Sequence, residues 1–90
     1  MLKRDPDELK AIEYYFKSEY KALLSYARHI LMNDGLAEDA VQDTFQTAMK
    51  KSEAFLSSPD PVGWLYEALK NILRHALRDR QRYLRNTVPL

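Results

Sequence analysis

Ninety residues, 46% of them apolar and 30% charged, describe one folded domain, since two cores would each sit near the ~40-residue floor for folding without staples. The absence of cysteine excludes disulfide frameworks and thiolate metal sites and gives no sign of an oxidising compartment, and two glycines are too few for a glycine-rich phosphate loop. No apolar run approaches the ~18 residues of a membrane span, and no signal-peptide core follows Lys3, Arg4 and Asp5, so no membrane insertion is expected. The formal net charge of +1 conceals an asymmetry: residues 1–69 carry 8 Lys/Arg against 12 Asp/Glu, and residues 70–90 carry 6 against 1. A basic end on an otherwise acidic chain is the first pointer to a partner.

A first helix opens at Asp5 and Pro6, where the carboxylate can cap, proline has the right φ, and Glu8 completes a capping box. Leu9, Ile12, Phe16, Tyr20, Leu23, Leu24, Ala27, Ile30 and Leu31 then recur at three and four residues and predict one buried stripe. The stripe tolerates a kink near residues 10–12. It stops at Asn33-Asp34-Gly35, where asparagine and glycine accept the left-handed conformation that ends helices.

The pattern predicts a second helix over about residues 36–53, burying Ala37, Ala40, Val41, Thr44, Phe45, Ala48 and Met49. Asp39, Gln42, Asp43, Gln46 and Lys50 fall on the opposite side. A joint follows, Leu56-Ser57-Ser58-Pro59-Asp60-Pro61, and Asp60-Pro61 repeats the cap-then-proline device to open a third helix reaching about residue 85. Gly63 stands where a capping box would need Glu or Gln. No strand-like alternation and no internal repeat occurs, so the expected architecture is all-α: a bundle of three main helices over residues 1–90, with its core over about 6–85 and a short tail from 86.

The third helix has two faces. Measured from Trp64, Leu65, Leu69, Ile72, Ala76 and Tyr83 cluster between about 80° and 140°, with Leu73 near 180°. Lys70, Arg74, Arg78, Arg82 and Arg85 spread between about −120° and 0°, and Asn71 and His75 lie within about 20° of zero. The cations line one face for ~22 Å. Such a stripe has two readings: a solvated face favoured by the helix dipole, or a nucleic-acid surface. The charge imbalance, two side chains able to reach base edges and an aromatic at the seam favour the second. Trp64 itself reads as a partly buried wedge between helices, with a stacking platform as the alternative. Phe55 is open to the same two readings, and Tyr14, Tyr15 and Tyr66 read as packing residues. His29 has no partner at ligand spacing, so no metal is expected there. Nor is an enzyme, because no nucleophile–base pair, carboxylate dyad or metal cluster is present in the pattern.

The stretch Ala37-Glu38-Asp39-Ala40-Val41-Gln42-Asp43-Thr44-Phe45 resembles the A-E-D-(apolar)-V-Q-(acid)-x-F pattern of bacterial sigma factors, nearest to the extracytoplasmic-function type of the sigma-70 family. Tyr20-x-x-Leu23-Leu24-x-Tyr26-Ala27-Arg28 is similar to their first core helix, and Trp64-Leu65-Tyr66 with Asn71, Leu77 and Arg78 to their W-L-Y-x-x-x-x-N…L-R helix. The likeness covers about residues 12–85, in order. It departs at Leu36, where an acid is frequent, at Met49, where tryptophan is common, and at His75, where aspartate is usual.

The resemblance implies the second conserved sigma region and its two tasks. Asp39, Gln42, Asp43 and Gln46 would face the clamp helices of the core RNA polymerase β′ subunit. Ser57, Ser58 and Asp60 in the joint, with Trp64, would receive an unstacked base of the promoter −10 element. Lys70, Asn71, Arg74, His75, Arg78 and Arg82 would read and hold partly single-stranded DNA. It further implies a bacterial cytoplasmic location, an anti-sigma factor as a further partner, no cofactor, and a longer chain with a −35-reading helix-turn-helix domain after Leu90. The alternative is a helical protein-interaction module without direct DNA readout.

Overall fold

The computed structural model describes residues 6–87, and of residues 83 and 85–87 the backbone alone. Four helices follow one another: α1 (Pro6–Leu31), α2 (Asp34–Lys50), α3 (Ser52–Leu56) and α4 (Pro61–Thr87). No strand occurs among the described residues. The bundle is all-α as expected, with α1, α2 and α4 as the long members and α3 as a short fourth.

α1 runs unbroken through residues 10–12. Asp5, its expected cap, lies outside the described residues. Ile12, Leu23, Ala27 and Leu31 are buried against α2 and α4. Of the other members of the expected stripe, Tyr20, Leu24 and Ile30 are half-buried, and Leu9 and Phe16 stay 42% and 41% exposed. The last two lie on the rim of a groove between α1 and α2, and Phe16 rests edge-on against Phe45 at 4.8 Å. An apolar stripe is buried only where a neighbouring helix covers it.

The left-handed residue at the end of α1 is Met32, at φ 54°, rather than Asn33 or Gly35. The joint is so short that the residue after Met32 must already start the next helix. Asn33 accordingly takes extended angles, and its side chain accepts the Leu36 N–H at 2.9 Å. An asparagine is worth about 1 kcal/mol as an N-cap, which offsets much of the ~1–2 kcal/mol that a left-handed methionine costs. Gly35 sits inside α2, where it has no positive φ to supply.

The expected single helix over 36–53 is two. α2 ends at Lys50; the Lys51 N–H caps it on the Thr47 carbonyl at 2.9 Å, and the Lys51 carbonyl accepts from Phe55 N–H at 2.9 Å to begin α3. The bend brings Phe55 fully inside, with ring centroids 5.3 Å from Tyr15 and 5.2 Å from Trp64. Six of the seven residues expected on the buried face of α2 are buried; Met49, 40% exposed, is the exception and shares the rim with Leu9 and Phe16. Thr44 is buried without penalty because its hydroxyl donates to the Ala40 carbonyl at 2.8 Å.

α4 starts as its sequence dictates. Asp60 Oδ1 accepts the Gly63 N–H at 3.0 Å, the Asp60 carbonyl accepts Trp64 N–H at 2.9 Å, and Ser58 Oγ accepts the Asp60 N–H at 3.1 Å. Leu65, Leu69 and Leu73 are fully or almost fully buried, and Ile72 and Ala76 are half-buried. Towards the other end, the Arg80 guanidinium donates to the Leu31 carbonyl at 3.1 Å. A cation there satisfies an orphan acceptor at the negative end of the α1 dipole.

The two glycines separate by this geometry. A Cβ on Gly35 would meet only Asn33 Oδ1 at 3.5 Å, whereas one on Gly63 would overlap the Asp60 carboxylate. Gly35→Ala should stabilise the domain by about 0.5–1 kcal/mol through helix propensity. Gly63→Ala should give no such gain, because the ~1 kcal/mol cap is displaced. Urea denaturation of both variants reads the difference.

Candidate nucleic-acid interface

The solvent side of α4 carries Lys70, Asn71, Arg74, His75, Arg78 and Arg82, all exposed. The opposite side holds the leucines just described. Each polar side chain is therefore set on a rail fixed by the core, and the separation follows from the 3.6-residue period. Lys70 pairs with Glu67 at 3.8 Å, and Arg74 Nη2 donates to Asn71 Oδ1 at 2.8 Å. Arg78 and Arg82 lie further along the same edge.

Two depressions flank this edge. On the α2–α3 side, Thr47, Lys51, Ala54, Trp64, Glu67, Ala68, Asn71 and Ile72 line a cleft of about 460 Å³. It has an aromatic and small apolar walls, with an ammonium, a carboxylate and an amide converging on it. On the α1 side, Tyr26, Ile30, Leu73 and Leu77 with Lys70 and Arg74 line a furrow of about 190 Å³. Next to it Tyr26 and Tyr66 meet edge to face at 5.7 Å. Burial pushes the Tyr66 hydroxyl above its ordinary pKa, with the Glu19 charge and Tyr26 adding to the effect. It is a neutral packing residue with its proton in place.

The joint before α4 is placed differently from its expected role. Ser58 Oγ and Asp60 Oδ1 are occupied in the turn and the cap. Ser57 borders a shallow dish with Lys50, Lys51, Ser52, Glu53 and Ala54. None of the three lines the cleft that holds Trp64 and Asn71. The cleft instead recruits Thr47, Lys51 and Glu67, which the sequence pattern did not single out. The packing of the end of α2 against α4 brings them together, a tertiary contact that no local signal marks.

On the other side of the molecule, Asp39, Gln42, Asp43 and Gln46 are exposed on one face of α2. Gln42 and Gln46 border the groove of about 590 Å³ whose floor and rim are Leu9, Ile12, Phe16, Phe45 and Met49, with Glu13 beside them. Glu13 is held below the usual carboxylate range by its hydrogen bond to Lys17 and by that charge. This surface pairs an acidic and amide-rich ridge with an apolar trough.

Among the described residues no group of three or more metal-ligating side chains gathers, and no helix is long and apolar enough to cross a membrane. The model of the Sigma-70 region 2 family matches residues 15–83. The chain belongs to that family. No curated protein and no solved structure matches it. As a region 2 domain it has a sigma-factor role in transcription initiation, in a family that binds core RNA polymerase and promoter DNA and is not a family of enzymes. The family match spans α2 and α3 entirely, and with them the cleft residues from Thr47 to Ile72.

Two neighbouring arginines on α4 should behave oppositely. Arg80→Ala removes the bond to the Leu31 carbonyl and should cost about 1 kcal/mol of stability. Arg78→Ala should leave the melting temperature within about 2 °C and lower the salt slope of DNA binding by about 0.7–0.9. Thermal melts beside anisotropy titrations at several salt concentrations separate the two.

Proposed function

We propose that this domain is the promoter-opening module of an extracytoplasmic-function type sigma factor, working in the bacterial cytoplasm. It docks on the clamp helices of the polymerase β′ subunit through α2 and captures the −10 element as it unpairs. The observation that carries the reading is the cleft of Trp64 and Asn71, which opens beside the cationic edge of α4.

Phosphates bind first. Lys70, Arg78 and Arg82, with Arg74, attract the backbone without regard to sequence and set its register. A nucleotide turned out of the stack then enters the cleft. Extrusion costs a few kcal/mol, and stacking on an aromatic returns ~1–3 kcal/mol per base. The indole of Trp64 supplies the stacking surface, while Asn71, Lys51 and Glu67 offer donors and an acceptor to the base edge. His75 stands one turn beyond Asn71 and contacts the flanking nucleotide. Ser58 and Asp60 hold the start of α4 in place, and the exposed Ser57 remains open to the strand. No covalent bond is made or broken, and no cofactor is needed.

The polymerase side uses different chemistry. Asp39 and Asp43 accept charge-assisted hydrogen bonds from a basic partner, Gln42 and Gln46 supply amide contacts, and the trough of Leu9, Phe16 and Met49 takes an apolar anchor. The same trough supports the second reading, a protein-interaction module held by an adaptor or an anti-sigma factor with no DNA contact. A promoter fragment with 2-aminopurine at each −10 position in turn separates the readings. With core polymerase present, fluorescence should rise at one position and fall back in Asn71→Ala. An unchanged signal at every position would leave the protein-interaction reading standing. Asp39→Arg should weaken binding to core polymerase by about tenfold or more while the isolated domain stays folded; calorimetry that finds equal affinity removes α2 from the polymerase interface.

A further inference from the structure

We propose that Arg74 is a positioning residue: its guanidinium holds the Asn71 amide so that the N–H₂ group, and not the carbonyl, faces the cleft. This rests on the cleft being where an unpaired base is read.

A free asparagine can present either end of its amide, and the two ends read opposite groups on a base. Here the choice is made by a neighbour. Arg74 Nη2 donates to Asn71 Oδ1 at 2.8 Å. Arg74 belongs to the furrow on the α1 side of the edge, and Asn71 to the cleft on the α2–α3 side. The carbonyl is thus drawn towards the furrow. Because oxygen and nitrogen lie on opposite sides of the amide carbon, the N–H₂ turns to the cleft.

The stem of Arg74 has apolar neighbours of its own. Arg74 lines the furrow with Tyr26, Ile30 and Leu77, apolar side chains against which the stem of a long cation can pack. A planar fork loses little further freedom on making its bond. The preceding turn repeats the arrangement more loosely: Lys70 on the furrow side pairs with Glu67 on the cleft side at 3.8 Å. Cations facing one depression thereby set polar groups that face the other.

A second polar group in the cleft is also committed. The Thr47 hydroxyl donates its proton to the Asp43 carbonyl at 2.8 Å, so towards a ligand it can only accept. With Asn71 fixed as a donor beside it, the cleft offers a defined pattern in place of a set of rotors. Removing the guanidinium frees the amide to turn over and accept as well as donate. Discrimination between bases then falls, while attraction to phosphate falls only by one charge.

The experiment uses four labelled single strands, each a 12-mer of dT with a central dA, dC, dG or dT, titrated at fixed salt. The variants are Arg74→Met, which keeps the stem in the furrow, Asn71→Ala, and the pair together. Wild type should distinguish the four strands. In Arg74→Met the ratio of best to worst affinity should drop about fivefold or more, to the level of Asn71→Ala, and the double variant should fall no further. Equal weakening on all four strands, additive with Asn71→Ala, overturns the proposal and makes Arg74 a phosphate contact. A wild-type domain that binds all four alike, or whose discrimination survives Asn71→Ala, overturns the base-reading function instead. Unchanged melting curves confirm that every variant is folded.

Discussion

Everything this domain does is constrained by the division of α4 into a side that must be buried and a side that must stay bare. Leu65, Leu69 and Leu73 are packed at the centre of the bundle, and that packing aims the cations outward without any further device. Burying three leucines contributes on the order of 1.5–3 kcal/mol each. The like charges along the other edge repel by far less in water over such spacings. The core therefore decides, and the charged edge is carried along as a rigid consequence. The ends of the helix are fixed as well, by the Asp60 cap at one end and by Arg80 on the Leu31 carbonyl towards the other.

On the proposed function, rigidity has a use. A base taken out of a duplex must find its contacts already placed, since ordering them afterwards would cancel the small gain that capture offers. The cleft meets that demand by contacts between elements distant in sequence. Phe55 sits between Tyr15 and Trp64, so α1 and α3 together set the plane against which a base would lie. Lys51 and Thr47 arrive from the end of α2 and Glu67 and Asn71 from α4. The ridge of α2 proposed to face the polymerase lies on the same helix that ends in this cleft, so that on the proposed function one element would couple docking and base capture.

Much of this is legible in the residues alone. Asp60-Pro61 announced a helix start, the two faces of α4 followed from its period, and the acidic ridge of α2 from its own. These are local signals, written within one or two turns. What escaped them depended on tertiary choices. A left-handed methionine at 32 replaces the expected Asn33 or Gly35, and the asparagine caps the next helix instead. The break at Lys51 has no glycine or proline to mark it. The rim of Leu9, Phe16 and Met49 belongs by period to buried stripes, yet none of the described helices covers it. The candidate site divides along the same line: the cationic edge of α4 is visible from sequence, whereas Thr47, Lys51 and Glu67 join the cleft through the packing of α2 against α4.

The chain has one tryptophan, and it lines the cleft, so the central claim has a built-in probe. Adding a single-stranded −10-like oligonucleotide should quench Trp64 emission in a saturable manner, in step with the rise in anisotropy of a label on the strand, and both should fade as salt is raised. An anisotropy change with Trp64 emission unaltered would place the nucleic acid elsewhere on the molecule and contradict the account.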